Sequence, residues 1–199
     1  MIKTIIFDNN GVLTTSDAEG AHDKVAEFLN KPIREFKHLW EEEARPLDIG
    51  KISNPDFLRN FLKHFGLEER YNELLKIHLQ CYQDKPEVKE FAKNLGGKYE
   101  TALLTNFGNH FDSWNKRWKM EEIFRPDKIF VSAKIGMAKP GQEIYRYVLN
   151  VLCRKGEECL FIDDNQDNIA AANSLGIKGI LFTDLENLKE ELKGYSLEI

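Results

Sequence analysis

Five short apolar runs, the first of them rich in β-branched and aromatic residues, constrain the fold of this chain more than any other feature. They occupy residues 2–7, 101–104, 129–131, 160–162 and 179–182. Apolar residues recur at helical spacing in a segment just before the second run, residues 86–95, and in the two segments that separate the last three runs, residues 142–152 and 168–175. Strands that alternate with helices predict a parallel β-sheet with helices on both faces, which is an α/β fold.

Residues 15–84 differ from this pattern because they contain only helical signals. Ser16 and Glu19 have the spacing of a capping box, as do Ser53 and Asp56, and each pair predicts the start of a helix. The predicted organisation is therefore an α/β core with an inserted cap of four helices. The core comprises residues 1–14 and 85–199, and the cap comprises residues 15–84.

Composition excludes several classes of protein. The chain has 199 residues, of which 42% are hydrophobic and 31% charged, and its net charge is −5. These values are typical of a folded soluble protein and argue against partners such as nucleic acid or a membrane surface. The first apolar run is too short for a signal peptide, so a cytoplasmic location is predicted. Three cysteines, Cys81, Cys153 and Cys159, are predicted to be reduced thiols that are buried or nearly so. A monomer and a homodimer both remain open.

Polar side chains follow the predicted strands at the edge where ligands bind in open parallel sheets. Asp8 follows the first strand, Thr105 the second, and Asp163 and Asp164 the fourth, whereas Lys139 opens a helix after the third. Each alone has an ordinary explanation as a turn, a cap or a solvated charge. Together, clustered carboxylates favour Mg²⁺, and a nearby lysine and hydroxyl are typical of a phosphoryl site.

The motifs around these residues resemble those of the haloacid dehalogenase-like (HAD) hydrolases. They read, in the family's order, IIFDNNGVLTT, LLTN, AKPGQEIY and FIDDNQDNIAAANSLGI. The helical insert resembles the small cap of one branch of the family, and IGKISNPDF resembles more loosely a cap segment of glucose-1-phosphate-type phosphatases. The resemblance implies a Rossmann-like sheet and a Mg²⁺-dependent phosphatase of a small phosphorylated metabolite, with a sugar phosphate as one candidate.

The resemblance also implies a role for each residue of the catalytic group. Asp8 is implied to be the nucleophile that forms an aspartyl-phosphate. Thr105 and the backbone N–H of Asn106 are implied to bind the phosphoryl oxygens. Lys139 is implied to neutralise the phosphoryl group and the nucleophile.

The implied metal ligands come from two loops. Asp8 and Asp164 are implied to bind Mg²⁺ directly, and Asp163 to bind it through water. The backbone carbonyl of Asn10 is implied to complete the protein ligands, which does not depend on the side chain at that position.

Asn10 departs from the pattern of the family's phosphatases, which carry an aspartate there as general acid and base. An amide cannot transfer a proton at ordinary pH, and such catalysis contributes roughly 10²–10⁴-fold in rate. One interpretation is an enzyme that acts on esters with good leaving groups. A second is a weak or inactive protein that binds phosphate ligands or holds a long-lived phospho-Asp8. Deamidation at Asn10-Gly11, or a deliberate Asp→Asn replacement, are further hypotheses.

Other classes of protein fit the order of the motifs less well. A receiver domain carries its acidic pair on the first strand, and a phosphomutase needs the acid that Asn10 replaces. A haloacid dehalogenase needs no metal, and its halide-binding residues are not recognisable. A pure interaction module would not need the acidic residues and the lysine together.

Substrate specificity is expected to depend on the cap and on the segment after the second motif. The candidate pocket residues are His38, Trp40, Glu43, Arg45, Lys51, Phe107, His110 and Phe111. For each cap residue, a role in the core or on the solvated surface is the simpler explanation. Trp114 and Trp118 lie one helical turn apart, which favours core packing or an oligomer contact.

Overall fold

The centre of the fold is a parallel β-sheet, seen here in a computed structural model that describes residues 1–16, 21–195 and 197–198. The strands are β1 (Thr4–Phe7), β2 (Glu100–Thr105), β3 (Ile129–Val131), β4 (Cys159–Asp163) and β5 (Lys178–Leu181). Their spatial order is β3-β2-β1-β4-β5, and every neighbouring pair is parallel. This is the order of a Rossmann-like sheet, so the predicted fold class is confirmed.

Helices cover both faces of the sheet, as the near-continuous apolar strands require. They are α5 (Pro86–Leu95), α6 (Phe111–Trp118), α7 (Ser132–Ile135), α8 (Gln142–Leu152), α9 (Gln166–Asn173) and α10 (Leu185–Gly194). Two buried clusters result, one on each face. Ile5 and Phe7 of β1 belong to the first, and Ile6 belongs to the second. The alternation follows from the period of two along a strand.

Four α-helices lie between β1 and α5 in the described residues. They are α1 (His22–Leu29), α2 (Lys37–Asp48), α3 (Asn54–Lys63) and α4 (Tyr71–Leu79). These helices have a hydrophobic cluster of their own, in which Trp40 packs edge-on against Phe57 and Phe61 with ring centroids 4.8 and 4.9 Å apart. The cap bounds 15–84 stay a prediction.

Local capping signals place the start of α3 but not of every cap helix. The Ser53 side chain accepts a hydrogen bond from the Asp56 backbone, and the Asp56 side chain caps Ser53 in return. The second predicted box, Ser16 and Glu19, involves residues 17–20, which lie outside the described residues.

The two chain segments that connect the helices to the core lie side by side. Thr15 Oγ1 donates to the Cys81 carbonyl at 2.6 Å, and the Thr15 N–H donates to the Gln83 carbonyl at 2.8 Å. Thr14 forms an isolated antiparallel bridge with Asp84. This pairing holds the helical insert over the carboxyl end of β1, where the polar residues of the site lie.

The cysteine prediction is partly wrong. Cys81 and Cys159 are buried thiols, but Cys153 is exposed, because it occupies the left-handed C-cap position of α8. Within the described ranges, no helix combines the length and the apolar character needed to cross a membrane.

Candidate active site

A buried lysine joins two carboxylates at the carboxyl end of the sheet. The Lys139 Nζ atom lies 2.7 Å from Asp8 Oδ1 and 2.7 Å from Asp163 Oδ2. The side chain of Lys139 is 1% exposed, and those of Asp8 and Asp163 are 8% and 0% exposed. Since β1 and β4 are adjacent parallel strands, their carboxyl ends place the two acids side by side.

Burial and mutual charge govern the ionisation of this group. Burial raises the pKa of Asp8 to about 8, Lys139 opposes that rise, and Asp163 and Asp164 add to it. Burial alone lowers the pKa of Lys139, but Asp163 and Asp8 together hold it above its ordinary value. Lys139 is therefore a permanent cation, and Asp8 needs further positive charge to be stable as a carboxylate.

Asp163 is held by more partners than the sequence motif indicates. Its Oδ1 accepts the Asn165 backbone N–H at 2.9 Å, and the Asn168 side-chain amide donates to both carboxylate oxygens at 3.0 and 3.1 Å. Tyr145 Oη donates to the Asn168 carbonyl at 3.0 Å. With the lysine added, most lone pairs of Asp163 are engaged, so its orientation is fixed.

Gly11 allows the loop after β1 to approach Asp164 closely. Its φ is +94°, and a Cβ atom at this position would lie 2.1 Å from Asp164 Oδ2. Only glycine avoids both the backbone strain and the overlap. The loop is also held by Lys85, whose Nζ donates to the Gly11 carbonyl at 2.8 Å.

The chemistry of these donors fits a hard divalent cation. Asp8, Asp163 and Asp164 each offer one carboxylate oxygen, and the three oxygens lie within 4.8 Å of one another. Three carboxylates beside a single lysine leave an excess of negative charge. Mg²⁺ binds such oxygen ligands together with water and phosphate oxygens.

Thr105 and Asn106 lie at the end of the neighbouring strand β2. Thr105 is fully buried, and its Oγ1 has no hydrogen-bond partner among the described residues. The Asn106 side chain pairs with the backbone of Lys139 through two hydrogen bonds of 2.9 Å each. Asn106 thus positions the lysine loop through its side chain, a contact that the motif did not indicate.

The Asn10 side chain lies at the edge of the site in a defined orientation. Its Oδ1 accepts Asn9 Nδ2 at 2.9 Å and Thr14 Oγ1 at 3.3 Å. Asn10 also lines the cavity next to Asp8. The residue can therefore contribute a hydrogen bond at the reaction centre but, as an amide, not a proton.

A cavity of about 370 Å³ opens between the cap helices and the end of the sheet. Its floor includes Asp8, Asp164, Lys139 and Asn106. Its remaining walls contain rings and a few charged groups, which are His22, Lys37, Trp40, Glu41, Asp48, Phe57, His78, Tyr82, Phe107 and His110. The volume is suitable for a small ligand.

Comparisons with known proteins identify the family of the chain. The sequence model of the haloacid dehalogenase-like hydrolase family matches residues 2–176 of this chain. The chain belongs to this family. The HAD match covers β1 to α9, so it includes the carboxylates, the lysine and the helical insert.

Two relatives of this chain are similar to it in sequence but differ in the share of their own length that the match covers. A D-ribitol-5-phosphate phosphatase of Bacteroides thetaiotaomicron is 25% identical over 186 residues, which are 89% of this chain and 90% of that protein. A drimenol cyclase of Aspergillus calidoustus is 27% identical over 210 residues, which are 96% of this chain. This chain spans only about a third of the cyclase, 36% of its length.

A solved HAD structure has the same fold. A HAD family enzyme of Bacteroides thetaiotaomicron, crystallised with magnesium and inorganic phosphate, superposes with a TM-score of 0.73. The match covers 94% of this chain and 99% of that one at 22% identity, so it demonstrates the fold alone.

The cap of this HAD hydrolase presents a different face to the cavity from most of the predicted residues. Trp40 lines the cavity, but His38, Glu43, Arg45 and Lys51 do not. The cavity face of α2 is a stripe at helical spacing that contains residues 37, 40, 41, 44, 47 and 48. His38, Glu43 and Arg45 project from other faces of α2, so their candidate role in the pocket is not met. The His38 side chain is 78% exposed, in agreement with the simpler explanation of a solvated position.

Residues after β2 divide between the cavity and the core. Phe107 and His110 line the cavity, whereas Phe111 is buried elsewhere in the core. Trp114 and Trp118 stack at 5.0 Å and are both buried, in agreement with the core alternative.

Sequence reasoning missed several polar residues of the site, among them Asn168, His22 and His78. Asn168 follows Asp163 by five residues within the fourth motif, so its spacing was available as a signal. His22 and His78 carried no signal, because each is a single histidine in an amphipathic helix. Only the packing of α1 and α4 brings them to the cavity.

Proposed function

We propose that this HAD hydrolase is a Mg²⁺-dependent phosphatase that cleaves a phosphomonoester of a small metabolite through Asp8. The observation that carries the proposal is the Lys139 ammonium between Asp8 and Asp163 at the floor of the cavity. With a divalent cation bound to offset the excess carboxylate charge, the ammonium and the metal together would suit the negative oxygens of a phosphoryl group. The unpartnered Thr105 hydroxyl supplies a donor for one phosphoryl oxygen.

The proposed metal site uses residues of this chain in distinct ways. Asp8, Asp164 and the Asn10 carbonyl would hold Mg²⁺ directly. Asp163, whose oxygens accept Lys139, Asn165 and Asn168, would act through water. A bound Mg²⁺ would neutralise the carboxylates and the charge that develops on the phosphoryl oxygens.

The chemical steps are proposed to occur on Asp8. A carboxylate oxygen of Asp8 attacks phosphorus, and the bond between phosphorus and the leaving oxygen breaks. The leaving oxygen takes its proton from water, because the Asn10 amide has none to give. A water molecule then attacks the phospho-Asp8, which releases inorganic phosphate and restores the carboxylate. Lys139 offsets the charge throughout.

The Asn10 amide favours one second candidate, a protein with weak or no turnover that retains phosphate on Asp8. Hydrolysis of the acyl phosphate also lacks a base in this arrangement. A sugar phosphate remains one candidate substrate for the active enzyme, supported by the relative named for D-ribitol 5-phosphate.

The test is turnover of p-nitrophenyl phosphate with Mg²⁺ and with EDTA, beside Asp8→Asn. Its acidic leaving group needs little proton transfer. Activity that requires both Mg²⁺ and Asp8 would support the phosphatase. No turnover, with a mass gain of one phosphoryl group on incubation with acetyl phosphate, would support the second candidate. No turnover and no mass gain would refute both.

A further inference from the structure

Rings from the cap and the core form a continuous wall of the cavity beyond the phosphoryl site. Trp40 and Phe57 belong to the cap, and Phe107 follows β2. The His110 ring lies 4.6 Å from that of Phe107 and 6.4 Å from that of His78. Such a wall presents flat apolar faces with imidazole edges between them, which suits a ring or a carbon chain better than an ion.

The wall offers no spare cation to a ligand. In the part of the chain that the structure describes, Lys139 and Lys37 are the only lysines or arginines lining the cavity. Lys139 is engaged by two carboxylates. Lys37 is exposed, and its Nζ atom lies 3.8 Å from Glu41 Oε1. Asp48 adds a further carboxylate to the cavity lining. A second anionic group on a substrate would lose its hydration here without gaining a cationic partner.

His110 is a half-buried residue whose ring nitrogens have unmet hydrogen bonds. Its Nδ1 and Nε2 atoms are buried and have no hydrogen-bond partner among the described residues. Burial, with a smaller contribution from His78, lowers the pKa of His110 to about 4, so the ring is neutral at neutral pH. A neutral imidazole has one N–H donor and one acceptor, the pair of functions that a hydroxyl group complements.

We propose that His110 and the ring wall select phosphomonoesters whose leaving group is uncharged and carries a hydroxyl group, and reject esters with a second anionic group. This selection rests on the proposed phosphatase function, because it concerns the part of the substrate beyond the phosphoryl group. His110 acts by binding the leaving group, and the wall acts because each lysine in its described lining already has a carboxylate neighbour.

The test uses three esters with the same aryl framework: phenyl phosphate, 4-(hydroxymethyl)phenyl phosphate and 4-carboxyphenyl phosphate. One added hydrogen bond is expected to raise kcat/KM for the hydroxymethyl ester about fivefold or more over phenyl phosphate. The added carboxylate is expected to lower kcat/KM about tenfold or more. Equal values for all three esters would overturn the selection and leave the phosphatase intact.

Variants at two histidines separate recognition from folding. His110→Phe is expected to reduce the ratio of kcat/KM between the hydroxymethyl and phenyl esters to about one. His110→Gln, which retains a donor and an acceptor, is expected to restore part of the ratio. His38→Phe is the matched control on the exposed surface, and it is expected to keep the wild-type ratio. An unchanged ratio in His110→Phe would overturn the role of His110. Absence of turnover of all three esters and of p-nitrophenyl phosphate by the wild type would overturn both the proposed function and the selection. Turnover of p-nitrophenyl phosphate alone would overturn the selection and leave the phosphatase intact.

Discussion

Asn10→Asp would restore a carboxyl group where the site has an amide, and the structure indicates that it can be accommodated. Asn10 Oδ1 accepts hydrogen bonds from Asn9 at 2.9 Å and Thr14 at 3.3 Å. One oxygen of an aspartate can accept the same two donors, while the other replaces the amide nitrogen at the cavity. The substitution changes chemistry and charge with little change in shape.

The expected increase in kcat/KM of Asn10→Asp depends on the leaving group of the ester. General acid–base catalysis contributes about 10²–10⁴-fold, which corresponds to about 2.7–5.4 kcal/mol of barrier. An alkyl phosphate releases a strongly basic alkoxide, so we expect kcat/KM to rise over that range. For p-nitrophenyl phosphate we expect less than about a tenfold gain, since its leaving group is stable without a proton.

The assay compares kcat/KM for both esters at saturating Mg²⁺, because the new carboxylate adds negative charge beside Asp8. Asn60→Asp is the matched control. Asn60 is exposed on α3 and lies outside the cavity lining. It should leave both values unchanged. An equal rise in kcat/KM for the alkyl phosphate and for p-nitrophenyl phosphate would refute the role of a missing general acid. So would no rise for the alkyl phosphate in a folded variant that binds Mg²⁺.

Three further predictions concern the hydrogen bonds to Asp163, the contact between Gly11 and Asp164, and the ionisation of His110. Asn168→Leu removes two hydrogen bonds from the buried carboxylate at the end of β4 and should lower the free energy of unfolding by at least about 2 kcal/mol in urea titration. Gly11→Ala should displace Asp164 and raise the Mg²⁺ concentration for half-maximal activity about tenfold or more, whereas Gly136→Ala, also at positive φ but with no atom within 4 Å, should not. The lowered pKa of His110, about 4, means that the folded state binds fewer protons than the unfolded state between pH 4 and about 6.5. The wild type should therefore lose up to about 3 kcal/mol of stability as the pH falls through that window, and His110→Phe should lose less.

The apolar periodicity of the sequence and the order of its motifs predict the sheet and the position of the site at one edge of it. The apolar runs predict five strands. The structure adds one residue at each end of β2 and β4, shifts β5 by one residue towards the N-terminus, and removes two residues at the start of β1. Because carboxyl ends of parallel strands share an edge, the sequence alone indicates that Asp8, Asp163 and Lys139 lie together. The distances of 2.7 Å between them agree with that expectation.

Sequence spacing could not identify which cap residues line the cavity. A helix with apolar and polar stripes has several possible orientations against a neighbour, and α2 turns the stripe containing Trp40 inward while His38 faces solvent. His22 and His78 reach the cavity from helices far apart in the chain. Their positions depend on how α1 and α4 pack, which no local pattern specifies.

The sequence by itself thus determined the α/β class, the family and the polar residues that the sheet edge collects, since strand order and period act locally along the chain. Only the tertiary structure decided the partners of those residues and the walls around them. Asn168 beneath Asp163, the orphaned nitrogens of His110 and the absence of a spare cation among the described lining residues all arise from contacts between distant segments. Such contacts are set by side-chain packing and burial, which one-dimensional patterns do not contain.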